Sequence, residues 1–248
     1  MKRFALIVCV LLAVVTLLYP ADKPVDGFIP RTYRSRAGNM PYRLFEPAGI
    51  EPQRRYPLVV WLHGAGGAGI DNLKQIEGDQ VPGTHIWTRK ENQARYPAFV
   101  VAPQSPGAWG PDEGELSREA LLAVEIVEAL KREFPIDPDR VYVAGQSNGG
   151  FGVWSLITER PDLFAAAIPL CGGGDPKRAA ALVHMPIWAF HGDRDDVIPV
   201  SYSRDMIAAI RKAGGFPKYT EYKGVDHNVW TPAFREAGLV DWLFAQRR

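Results

Sequence analysis

The sequence predicts an α/β chain in which a mostly parallel central sheet is flanked by helices on both faces. Short β-branched runs alternate with longer helical patterns, which is the order that builds a parallel sheet. The runs are apolar almost throughout, as strands covered on both faces must be. The chain has 248 residues, 46% hydrophobic and 23% charged, enough for one well-cored domain and too few for a second of similar size.

The elements follow in order. Residues 40–46 read as an outer strand, and residues 58–62 (LVVWL) and 99–102 (FVVA) as buried ones. Residues 116–134 set Leu116, Ala120, Ala123, Val124, Val127, Leu130 and Phe134 on one stripe at helical spacing, the mark of an amphipathic helix. Further buried strands fall at 141–144 (VYVA), 165–170 (AAAIPL) and 187–190 (IWAF), with an outer strand at 218–222. Helical patterns follow Gly149, Pro199 and Pro232. Loops in such a sheet gather at the carboxyl ends of the strands, where ligands bind.

Lys2 and Arg3 precede an apolar run over residues 4–18, followed by Pro20, Ala21 and Pro24. Residues 1–21 therefore read as a secretory leader, and the protein as secreted or periplasmic. Cleavage after Ala21 sets Tyr19 where a small residue is favoured, so an uncleaved membrane anchor is the alternative. Residues 22–39 read as a linking arm and residues 40–248 as the functional domain. Net charge is +1 with no basic stripe, which excludes a nucleic-acid surface. The cysteines are Cys9 and Cys171, so the mature domain carries one thiol and no internal disulfide. Cys171 follows an apolar run and is expected to be buried beneath the site.

Residues 142–150 (YVAGQSNGG) hold one hydroxyl among three glycines directly behind a strand and ahead of a helix. Gly145-Gln146-Ser147-Asn148-Gly149 matches G-x-S-x-G in the context of a nucleophile elbow, where a strained turn lifts the serine to the helix amino terminus. A serine hydroxyl is a poor nucleophile until a base removes its proton, so a histidine oriented by a carboxylate must follow. Among His184, His191 and His227, only His227 lies in a loop between the last strand and the last helical pattern. His191 ends a strand and is expected to bond backbone in the loop it opens. The loop HGDRDDVIPV offers three acids, Asp193, Asp195 and Asp196. An oxyanion hole needs two N–H donors: Asn148 supplies one, and the glycine-rich loop after LVVWL supplies the other from Ala65 or Gly66. The Walker lysine and the G-x-G-x-x-G spacing are both missing from that loop, which excludes a nucleotide cradle.

Taken together, LHGAGG, DPDRVYVAGQSNGG, HGDRDDVIP and HNVWTPAF resemble the α/β-hydrolase esterases, and more narrowly the polyhydroxybutyrate-depolymerase and feruloyl-esterase-like group of prolyl-oligopeptidase-family hydrolases. The resemblance covers residue 40 to the end. It implies Ser147 as nucleophile, His227 as base, Asp195, four residues before Pro199, as the orienting acid, and Ala65 with Asn148 as oxyanion donors. It further implies an acyl-enzyme route needing no metal or organic cofactor, on small-molecule or polymeric esters with short-chain or aromatic acyl groups. Trp87, Trp109 and Trp230 are expected to wall the substrate pocket. The segment 69–96 mixes charges with few large apolar residues, so it suits a pocket rim and not a large lid. A serine peptidase or amidase of the prolyl-oligopeptidase type could use the same three residues, and a hydrolase-fold binding protein without chemistry is the rival of another class.

Overall fold

The computed structural model describes residues 23–111 and 115–248; the leader expected at 1–21 lies outside them. β1 (Phe28–Ser35) and β2 (Gly38–Phe45) form an antiparallel hairpin. β2 pairs antiparallel with the strand that follows in space, and from there the sheet is parallel. The strands are β3 (Tyr56–Leu62), β4 (Phe99–Pro103), β5 (Ile136–Gln146), β6 (Ala166–Leu170), β7 (Trp188–Gly192) and β8 (Lys218–Tyr222). Among the described residues they make one eight-stranded sheet in the order β1-β2-β4-β3-β5-β6-β7-β8. The helices are α1 (Val81–Thr88), α2 (Lys90–Arg95), α3 (Arg118–Glu133), α4 (Asn148–Glu159), α5 (Ser201–Lys212), α6 (Trp230–Ala233) and α7 (Leu239–Phe244).

Side chains alternate across each strand, so β3 feeds two cores. Leu58, Val60 and Leu62 join residues of α3, α4 and α5 on one face; Val59 and Trp61 join residues of α1, α6 and α7 on the other. The stripe read on residues 116–134 is the buried face of α3, whose first turn is capped by Ser117 Oγ accepting the Ala120 N–H (3.2 Å). No separate lid domain stands over the sheet among the described residues; segment 69–96 folds into short 3₁₀ turns followed by α1 and α2.

Most of the described part of the stretch 22–39, read as a linking arm, belongs to the sheet. Its residues 28–35 are an edge strand, and the sheet starts ahead of Met40. Pro30, Arg31 and Arg34 break the apolar signal there, yet an edge strand tolerates both proline and charge because only one side of it is paired. Arg43 locks the hairpin down: its guanidinium is fully buried and donates to the carbonyls of Asn72 (2.5 Å), Lys23 (2.6 Å) and Phe28 (3.3 Å).

At the carboxyl rim, His63 ties the end of β3 to the end of β4. Its Nδ1–H donates to Gly64 O (2.7 Å) and its Nε2 accepts the Ser105 N–H (2.9 Å), so both ring nitrogens are satisfied only when the ring is neutral. Burial, with no acceptor left for a second proton, pushes its pKa down to about 4. An unfolded histidine protonates near pH 6.5, so between that pH and about 4 the unfolded chain binds the extra proton and the folded one does not. The stabilisation is complete above the upper pH and is lost as pH falls through the window, by on the order of 3 kcal/mol. Urea midpoints at pH 7, 5.5 and 4 should therefore fall more steeply in the parent than in His63→Gln, and parallel slopes would assign the acid sensitivity to another group.

Candidate active site

β5 ends at Gln146 and α4 begins at Asn148, leaving Ser147 alone in the turn with φ 54° and ψ −118°. A non-glycine residue at positive φ is strained, and the surroundings hold it there. Ser147 N donates to Leu170 O on β6 (3.0 Å), and its carbonyl accepts the Phe151 N–H (3.1 Å). The turn is possible because α4 starts against bare backbone: a β-carbon on Gly149 would stand 2.0 Å from Leu62 O, and one on Gly145 2.5 Å from Gly149 O.

The loops after β7 and β8 bring two further side chains to the serine. His227 Nε2 lies 3.0 Å from Ser147 Oγ, and His227 Nδ1 lies 2.7 Å from Asp195 Oδ2. The Asp195 side chain is fully buried and His227 is 19% exposed. Burying a carboxylate is costly unless its lone pairs are filled. Here Oδ1 takes the N–H groups of Val197 (3.0 Å) and Ile198 (2.8 Å), leaving Oδ2 for the imidazole. Of the other acids in this loop, Asp193 accepts the Gly224 N–H (2.6 Å) and so clamps the turn after β8, while Asp196 is exposed. With Nδ1–H held by the carboxylate, Nε2 presents a lone pair to the serine proton, the tautomer that general-base chemistry needs.

Asn148 is the first residue of α4, where a backbone N–H has no acceptor within the helix. Ala65 opens the 3₁₀ turn Ala65–Gly67 and is exposed. Several residues that sequence reasoning passed over hold this loop against the elbow. Gly64 abuts the Gln146 side chain, and its N–H donates to Gln80 Oε1 (3.0 Å). Gln146 Nε2 reaches Asp79 O (3.3 Å), so the expected rim segment also anchors the loop.

None of the three expected tryptophans lines the cavity beside α4. Trp87 is fully buried between Phe234 and Phe244 (ring centroids 6.0 and 6.2 Å). Trp109 is also fully buried; its indole donates to His63 O (3.1 Å) and its backbone N–H to Asn148 Oδ1 (3.1 Å), so it ties the loop after β3 to the start of α4. Trp230 is 7% exposed and meets the His227 ring edge-on at 5.4 Å, bracing it. Large apolar rings read alike in a core and in a pocket, and here the core took all three. A cavity of about 320 Å³ instead runs along α4, lined by Phe151, Trp154, Ser155, Thr158, Gly173 and Arg178. Phe151, one helical turn beyond Ser147, is the lining residue on α4 nearest the elbow, and the side chains of Ser147, Asp195 and His227 are not part of the lining.

Cys171 is buried with φ 38°, and burial pushes its thiol pKa up. Its sulfur and the polar atoms of Asp195 and His227 lie within 4.8 Å of one another, the one grouping among the described residues able to approach a metal's ligand set. A metal there would have to replace the proton that joins His227 to Asp195 and strip the thiol of its own, so the donor set suits a proton relay better.

The model of the prolyl oligopeptidase family matches residues 123–180. The poly(3-hydroxyalkanoate) depolymerase C of Paucimonas lemoignei is 29% identical over 57% of this chain and 33% of its own length. A probable feruloyl esterase C of Aspergillus terreus is 29% identical over 66% of this chain and 58% of its own. The chain thus spans about a third to somewhat over half of the length of these curated relatives. Among solved structures, a thermostable esterase superposes with a TM-score of 0.86 at 38% identity, covering 90% of this chain and 64% of that one. A ferulic acid esterase superposes with a TM-score of 0.67 at 17% identity, covering 88% and 98%, a likeness of fold. The chain is an α/β-hydrolase in fold, and it resembles the depolymerase and feruloyl-esterase-like hydrolases of the prolyl oligopeptidase group.

Proposed function

We propose that the protein is a serine carboxylic-ester hydrolase working through an acyl-enzyme on Ser147. The observation that carries this reading is the unbroken hydrogen-bond chain from Asp195 through His227 to Ser147, 2.7 and 3.0 Å long. In the acylation step Ser147 Oγ bonds to the ester carbonyl carbon while its proton passes to His227 Nε2, and Asp195 stabilises the resulting imidazolium. The carbonyl oxygen takes up the negative charge and is met by the N–H groups of Ala65 and Asn148. As the tetrahedral centre collapses, the bond to the alcohol oxygen breaks and His227 returns the proton to it. Water then enters by the same steps in reverse order, freeing the acid and Ser147. These steps draw on side chains and backbone N–H groups alone.

The cavity along α4 supports a short-chain or aromatic acyl group as the occupant: two aromatic side chains, Phe151 and Trp154, line a volume at the low end of the range for small-molecule sites. Esterase, feruloyl esterase and depolymerase names outnumber peptidase names among the relatives, which supports esters over peptides. The leader-like residues 1–21 support secretion or, uncleaved, membrane anchoring, and no helix of the described residues is long and apolar enough to cross a membrane.

On purified protein, p-nitrophenyl butyrate should be turned over with a higher kcat/KM than the palmitate ester or a peptide anilide; the anilide as best substrate would transfer the assignment to a peptidase. Ser147→Ala and His227→Ala should each lower kcat by on the order of 10⁴-fold with an unchanged melting temperature, and Ser147→Ala should also abolish labelling by a fluorophosphonate. Among the loop acids, Asp195→Asn should cost nearly as much, because it presents the wrong hydrogen-bonding group to His227 Nδ1, whereas Asp193→Asn and Asp196→Asn should be mild. Steady-state kinetics on the three folded variants read this directly, and an Asp196→Asn loss as large as that of Asp195→Asn would refute the choice of acid.

A further inference from the structure

Asp195 meets a second imidazole. His191, the fourth residue of β7, has a fully buried side chain, and its Nε2 stands 3.2 Å from Asp195 Oδ2, the same oxygen that faces His227. Nε2 also lies 3.0 Å from Ile198 O. An imidazole nitrogen placed between two oxygen acceptors must carry a proton, since a lone pair there would face two negative ends at once. On the other side of the ring, Nδ1 lies 2.8 Å from Ser203 Oγ on α5, and that hydroxyl also directs its proton at Gly172 O (3.0 Å).

We propose that His191 is a positioning residue for the Asp195 carboxylate: a neutral ring protonated on Nε2 shares its N–H between Ile198 O and Asp195 Oδ2, while Nδ1 faces the Ser203 hydroxyl, whose one proton is divided between Nδ1 and Gly172 O. The loop from Gly192 to Ile198 is then drawn onto β7 at two points, the Ile198 carbonyl and the carboxylate, and Asp195 is held from behind while His227 approaches from the front. The inference rests on the esterase reading for its kinetic consequence and on geometry alone for its tautomer.

The arrangement also sets the strength of the base. An oxygen that already takes one N–H has less negative charge to offer a second donor, so His191 moderates the pull of Asp195 on the His227 imidazolium. Burial keeps the His191 ring neutral, holding its pKa below the usual histidine range. The other titratable groups acting on it are His227, whose charged form opposes a charge on His191, and Glu221 on β8, whose carboxylate is matched by Arg204 from α5 (2.6 Å). Neither supplies a charge that replaces the contact with Asp195.

Two measurements test the assignment. In histidine-selective ¹⁵N NMR of the parent at pH 7.5, one of the five imidazoles should be a neutral, slowly exchanging Nε2–H form that disappears in His191→Gln; a His191 protonated on Nδ1 alone, or on both nitrogens, overturns the proposal. In kinetics on p-nitrophenyl butyrate, His191→Phe should lower kcat about tenfold with KM changed less than about twofold, and should move the acidic limb of kcat/KM up by about half a pH unit. The sign follows because Asp195, relieved of one donor, holds the His227 proton to higher pH. His191→Gln, whose amide N–H reaches the same point, should restore kcat to within about threefold of the parent and return the limb. An unmoved limb, or equal losses in the Phe and Gln variants, reduces His191 to a packing residue. If His191→Phe does not fold, the tautomer and the Gln variant still decide. Failure of the esterase reading is distinguishable, because the parent would then neither cleave the ester nor take a fluorophosphonate label while the NMR signature stood.

Discussion

The backbone turn at Ser147 is the constraint on which the site depends. A residue other than glycine at φ 54° costs about 1–3 kcal/mol, and it persists because the neighbouring strands over-determine it. Leu170 receives its N–H from one side, and Leu62 allows only a bare α-carbon at Gly149 on the other. Once β5 must turn into α4 at this point, the ends of β3 and β6 are fixed beside it. The loops that follow β3, β7 and β8 then converge on a single hydroxyl. Cys171, at the end of β6, repeats the strained turn at φ 38°, so two adjacent strand ends leave the sheet in the same unusual way.

Around that turn the polar groups are arranged so that little is left for solvent to organise. Asp195 has its Oδ1 filled by two backbone N–H groups and its Oδ2 between two imidazoles. His63 and Trp109 do the corresponding work for the loop after β3, one through its two ring nitrogens and the other through its indole and backbone N–H groups. Hydrogen bonds of this kind hold geometry at small net stabilisation, and they are costly to break because each buried partner would be orphaned. The rim is therefore rigid where Ser147 and His227 meet and more open along the cavity beside α4.

Much of this was legible in the sequence because it rests on local pattern. Apolar runs marked β3 to β7, helical spacing marked α3, and G-x-S-x-G between a strand and a helix marked the elbow. Ser147, Asp195 and His227, chosen from motif order and resemblance, do lie in one hydrogen-bonded chain. What could not be read depends on packing at long range. β1 was hidden because Pro30 and Arg31 suit an edge, and whether a strand is an edge is a property of the whole sheet. Trp87 sits between two phenylalanines more than 140 residues downstream, a contact no local window contains. The Asp195 contact of His191 was within reach of a spacing argument, being four residues away, but a loop has no fixed period that turns spacing into direction.

The sheet's two edges carry a consequence of their own. An exposed edge strand is a template on which another chain can add, and charge, proline and shortness are what discourage it. β1 presents Pro30, Arg31 and Arg34 at one end of the sheet. β8 is five residues long and carries Lys218 and Glu221 at the other. Both margins therefore carry features that discourage strand addition. The rim loops can then change in length and composition to suit new ligands without turning the scaffold adhesive.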